Sequence, residues 1–106
     1  MTIKEACEEF LLYIGSVKGM SQNTVTAYKN DLEQLCLMQS IGFERQIETV
    51  TTEDLRLCVG NMSLKHRKNT SINRFISSFR SLFAYCWKFG YLKTNPALEI
   101  KTVKTS

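Results

Sequence analysis

The sequence predicts an all-α domain: a four-helix bundle followed by a short C-terminal helix. Three observations point there. Four stretches carry apolar residues at i, i+3, i+4 and i+7 spacing, the pattern of a helix with one buried stripe. Neither sustained period-2 alternation nor a hairpin dipeptide between β-branched runs occurs. Between the periodic stretches fall breakers and caps, notably Gly19, the Ile41-Gly42 pair and Gly90.

The first helix opens on Thr2 and Glu5, spaced as a capping box, and continues through Ile3, Cys7, Phe10, Ile14 and Val17. Gly19 closes it. Ser21 caps the second helix, whose stripe is Val25, Tyr28, Leu32, Leu35 and Cys36. Ile41-Gly42 is expected to end it, and Ile47 and Val50 in the following loop to plug the bundle. The third helix begins at Thr51 or Thr52, with Glu53 and Asp54 in the first turn, where the helix dipole favours negative charge. Leu55, Cys58, Val59 and Met62 form its stripe, and Gly60 and Asn61 predict that it is short. After a polar basic connection at 63–69, Asn69 or Thr70 is expected to cap the fourth helix, which runs to Gly90. Asn95-Pro96 has the look of a cap followed by proline at the first helical position, so a short terminal helix is expected there.

The chain has 106 residues, enough for one domain with its own core. It lacks a signal-peptide pattern and any apolar run near the ~20 residues that span a bilayer, so a cytoplasmic location is expected and no membrane partner. Cys7, Cys36, Cys58 and Cys86 lie far apart with no C-x-x-C spacing, and each falls on or beside an apolar stripe. They are expected to be reduced, buried small hydrophobes, with no metal among them.

Net charge is +4, but the two halves differ sharply. Residues 1–54 hold four Lys/Arg against nine Asp/Glu; residues 55–106 hold ten against one. From Leu55 to Leu98 there is no acidic residue at all. That asymmetry implies a polyanionic partner.

Catalytic chemistry is hard to place. His66, the single histidine, sits in the basic connection without a nucleophile beside it and reads as an exposed loop residue. Tyr13, Tyr28, Tyr85 and Tyr91 would need a base or a cation cluster to react near neutrality, since a free phenol titrates near ~10. No carboxylate pair stands out as an acid/base couple, and the glycines form no phosphate-cradling loop. The residues describe a binding module with no cofactor, not an enzyme.

The stretch SINRFISSFRSLFAYCWKFG, residues 71–90, is the most informative. Ile72, Phe75, Ile76, Phe79, Leu82, Phe83 and Cys86 cover one arc of about 120° on a helical wheel. Opposite lie Asn73, Arg74, Ser77, Ser81, Ala84 and Lys88, with Arg80 on the flank. Small residues run through the centre of this face and long cations reach from its sides, which suits a helix entering a DNA major groove. The second helix offers a matching short, uncharged face in Asn23, Thr24, Thr26, Ala27 and Asn30.

Four stretches in order, GMSQNTVTAYKNDL (19–32), VTTEDL (50–55), SINRFISSFRSL (71–82) and FGYLKTNPA (89–97), resemble the N-terminal core-binding domain of tyrosine recombinases, the phage integrase and Xer-type group. The resemblance implies a SAM-like bundle of two crossed helical hairpins that forms one half of a C-shaped clamp on double-stranded DNA. It implies that the second helix meets the major groove through Ser21, Asn23, Thr24 and Tyr28. The fourth would do so through Asn73, Arg74, Ser77 and Arg80, with Lys68 and Lys88 completing the DNA-binding set. The family cleaves and rejoins DNA through a tyrosine supported by arginines, a lysine and histidines in a following domain, and that set is not found here. Residues 1–100 are then the DNA-binding arm and 101–106 the start of a linker to a catalytic domain of the same parent chain. Other recombinase protomers are further implied partners. The alternative from the residues is a helical protein-interaction module that does not bind DNA.

Overall fold

Helix α1 (Ile3–Ser16) starts where the capping box predicts: Glu5 N–H donates to Thr2 Oγ1 at 3.1 Å, and Thr2 N–H to Glu5 Oε1 at 2.8 Å. The computed structural model describes residues 1–65 and 68–103. It continues with α2 (Gln22–Leu37), a 3₁₀ turn at Ile47–Thr49, α3 (Thr52–Leu64) and α4 (Asn69–Lys88). Among the described residues there is no strand, only an isolated bridge between Thr2 and Gln46. The all-α four-helix bundle expected from the sequence is therefore present.

Helix α1 packs on α2 and α3 on α4, while α4 also lies against α1 and α2. The apolar stripe of α4 explains this central place. Phe75, Ile76, Phe79, Leu82, Phe83 and Cys86 are all buried, and Phe75 meets Phe79 edge-to-face with centroids 5.4 Å apart. Around them gather Ile3, Ala6, Phe10 and Ile14 of α1, Leu32 and Leu35 of α2, and Leu55 and Met62 of α3. Truncating one such ring to alanine costs about 3–5 kcal/mol in a close-packed interior. All four cysteines are free and buried, as expected.

Three element ends differ from expectation. Helix α2 stops at Leu37, before Ile41-Gly42, because Met38 turns to extended backbone (ψ 140°) and puts its side chain in the core. Helix α3 runs through Gly60 and Asn61 to Leu64, since the burial of Met62 on its last turn outweighs the weak local propensity. Helix α4 begins at Asn69, so the cap position falls on Lys68, one residue before the expected Asn69 or Thr70, and the Lys68 side chain makes no cap bond.

The expected terminal helix does not form. Asn95 does cap locally, its Oδ1 accepting from Ala97 N–H at 3.0 Å, but only turn bonds follow, Leu98 to Asn95 and Ile100 to Ala97. Ala97 and Ile100 are buried, so this turn still packs on the bundle without continuing as a helix. Ile47 and Val50 are buried, plugging the bundle as expected. Arg45 ties that loop to α3, donating to Ser40 O at 2.7 Å and Thr49 O at 2.6 Å and pairing with Asp54 at 2.8 Å.

Candidate nucleic-acid interface

Helices α2 and α4 lie side by side, and their facing polar residues make a shallow groove of about 350 Å³. Asn23, Thr24, Ala27, Tyr28 and Asp31 line it from α2, and Arg74, Ser77 and Ser78 from α4. Five residues singled out in the sequence, Asn23, Thr24, Tyr28, Arg74 and Ser77, thus meet in one place. Ala27 and Ser77 keep the floor low, and the hydroxyl and amide groups of Thr24, Ser77 and Asn23 supply short hydrogen-bonding tips.

Ser21 sits at the head of the groove as the α2 cap: its Oγ accepts from Thr24 N–H at 3.2 Å and pairs with Thr24 Oγ1 at 3.0 Å. Tyr28 is half-buried, its ring edge-to-face with Phe10 at 5.6 Å. It also lines a second depression with Lys18, Ser81, Ala84 and Lys88, so Lys88 joins the same side of the molecule. Lys88 leans over Phe89, with Nζ 5.8 Å from the ring centroid. Lys68 is exposed at the start of α4.

Two residues stand apart from the groove. The Asn73 amide is engaged by the tail: Val103 N–H donates to Oδ1 at 2.7 Å, and Nδ2 donates to Val103 O at 3.0 Å. Arg80 is exposed and, seven residues on from Asn73, occupies that same flank. His66 and Arg67 of the basic connection lie outside the described residues.

The groove also holds a pair of residues that periodicity does not reveal. Asp31 is 2% exposed, and its carboxylate accepts from Arg74 Nη2 at 3.0 Å, Arg74 Nε at 3.2 Å and Ser78 Oγ at 2.7 Å. A buried carboxylate is costly unless its lone pairs are satisfied, and here three donors meet it. Ser78, at i+3 from Phe75 and i−4 from Leu82, was the available signal: a hydroxyl inside an apolar stripe needs a partner.

Among the described residues, no group of His, Cys, Asp and Glu could hold a metal ion. Burial, then the nearby Glu9, pushes the Tyr85 phenol up, and a hydrogen bond with Glu9 raises Tyr91, opposite to the shift that arms a phenolate nucleophile. The arrangement is suited to binding.

Four helices, with no strand among the described residues, define a small all-α domain of the SAM-like class. Residues 7–88 match the family described as phage integrase, N-terminal SAM-like domain, and the chain belongs to that family. It is 35% identical over 95 residues to the tyrosine recombinase XerC of Thermodesulfovibrio yellowstonii, covering 90% of this chain and 30% of that protein. It is 31% identical over 97 residues to the tyrosine recombinase XerD of Staphylococcus haemolyticus, covering 92% and 33%. The chain thus spans about a third of the length of these relatives. Its fold is shared with a lambda integrase dimer bound to a COC' core site, with a TM-score of 0.84 at 18% identity, over 100% of this chain and 36% of that one.

Proposed function

We propose that this chain is the DNA-binding arm of a site-specific tyrosine recombinase, gripping duplex DNA with α2 and α4. The observation that carries the reading is the α2–α4 groove: short uncharged tips at its centre, cations around it, and its one carboxylate paired with Arg74. Asn23, Thr24 and Ser77 are suited to base edges, while Arg74, Lys88, Lys68 and the flanking Arg80 are suited to phosphates. Ser21 and Tyr28 set the head and floor of the groove. Asn73 acts from behind, holding the chain that leaves the bundle. Strand cleavage and rejoining belong to a catalytic domain of the parent chain that follows residue 106, and other protomers share the DNA. In the described residues no helix is long and apolar enough to cross a membrane.

A duplex titration across salt concentrations tests this. With four to six phosphates engaged, log affinity falls with log salt at a slope of about −4 to −5. The double change Arg74→Ala plus Arg80→Ala weakens binding by about 1–3 kcal/mol. Binding that ignores salt, or affinity for a protein partner untouched by the double change, overturns the reading in favour of a protein-interaction module.

A further inference from the structure

We infer that Asp31 is a positioning residue that turns Arg74 into a pre-oriented phosphate fork, an inference that rests on the DNA-binding reading. The guanidinium has five N–H donors in a rigid plane, four of them arranged along two edges. Asp31 occupies the side-on edge, taking one bond from Nε at 3.2 Å and one from Nη2 at 3.0 Å. Among the described residues the outer N–H of Nη2 and the adjacent N–H of Nη1 remain, and these two form the end-on edge that matches two oxygens of a phosphate; the second Nη1 N–H points away from both edges.

Burial sharpens the asymmetry. The Asp31 side chain is 2% exposed and that of Arg74 is 61% exposed, so the pair has a fixed, buried end and an open one. Ser78 Oγ donates to Asp31 at 2.7 Å and holds the carboxylate in turn. A long, rotamer-rich side chain at the edge of a groove is thereby anchored before any ligand arrives, so less freedom is lost on binding. The Arg74 side chain, held at one edge by Asp31, lines the groove beside Asn23 and Ser77.

The inference makes a counter-intuitive prediction. Asp31→Asn makes the protein one unit more positive, which by long-range electrostatics alone strengthens binding to a polyanion. Loss of positioning acts in the opposite direction. The experiment measures affinity for a labelled mixed-sequence DNA duplex as a function of salt, for the wild-type chain, Asp31→Asn, Arg74→Ala and the double variant, with folding checked by circular dichroism. The expected result is that Asp31→Asn weakens binding about three- to tenfold and lowers the salt slope by about one, as though one phosphate contact were lost. It adds little once Arg74 is already alanine. Ser78→Ala, which keeps the charge and loosens the carboxylate, gives a smaller loss of the same sign and serves if Asp31→Asn does not fold. If Arg74→Ala weakens binding while folded Asp31→Asn or Ser78→Ala leaves it unchanged or tighter, or if the Asp31 and Arg74 effects add, the positioning role is overturned and the DNA-binding reading stands. Absence of salt-dependent duplex binding by the wild-type chain overturns both.

Discussion

Asn73 and Val103, thirty positions apart, are joined twice: the side-chain amide of the first accepts from and donates to the backbone of the second, at 2.7 and 3.0 Å. A side-chain amide in this role imitates a neighbouring strand, satisfying both polar groups of one residue at once. The tail is therefore docked along α4 rather than loose, with Ile100 buried just before it and Val103 packed against the core.

Asn73→Ala removes both bonds and is expected to lower stability by about 1–2 kcal/mol, from a net value of about 0.5–1.5 kcal/mol each. The specific sign is the Val103 amide, whose hydrogen exchange should accelerate to the rate of a free tail. Asn73→Asp keeps the acceptor and loses the donor, so it should retain most of the amide protection. Unchanged Val103 exchange in Asn73→Ala would sink the idea of a docked tail.

Acid should loosen the start of α3. Burial alone would raise the Asp54 carboxyl, but the Thr51 N–H at 2.9 Å, the Thr51 hydroxyl contact and Arg45 outweigh it and hold the group below its ordinary value. A carboxyl depressed in the folded state contributes stability that is fully present above its unfolded value, near ~3.9, and is lost as pH falls through the folded one. Asp54→Asn is expected to cost about 1 kcal/mol at pH 7, and the gap to wild type should close as pH falls through the depressed value of the folded carboxyl. Denaturant melts of both proteins across pH check this. Glu5 is lowered too, by its bond from Thr2 N–H, but remains in both proteins, so the difference isolates Asp54. A gap independent of pH would refute the assignment.

The thiols should react in a set order. Burial, with a smaller push from Glu9, drives the Cys86 thiol up to about 12, and burial raises Cys58 as well. Cys7 and Cys36 sit with sulfurs 3.9 Å apart, close enough for either thiol to donate to the other, so a thiolate on one is supported by the proton kept on its neighbour. Since the thiolate is the reactive form, native alkylation at pH 8 should reach the Cys7–Cys36 pair first and leave Cys86 and Cys58 protected until unfolding. Peptide mass mapping over time gives the order, and early labelling of Cys86 would contradict it.

Periodicity revealed what burial of apolar groups controls. All four helices, the α1 capping box, the Ile47 and Val50 plug and the buried cysteines follow from residues whose position on a stripe fixes their environment. The groove was legible in part for the complementary reason: Asn23, Thr24, Arg74 and Ser77 fall where the stripe is not. Asp31 was hidden because one polar residue beside Leu32 looks like any solvated position; only the approach of a second helix buries it. Asn73 falls on the outer face by its spacing, but no sequence rule shows that a tail thirty residues away bonds to its amide. Asn95-Pro96 has the local chemistry of a helix start, and Asn95 does make the cap bond, but only isolated turn bonds follow it.

Helix α4 lies against each of the other three helices while its outer face lines the groove. A single rod therefore serves as both keel and tool. Its outer face cannot swing, slide or melt on its own, because any motion of Ser77 or Arg74 drags Phe75 and Phe79 through a packed interior. On the proposed DNA-binding reading, heat should abolish binding and fold in one step, and a change of target would come from exchanging side-chain tips on a fixed rod rather than from bending it.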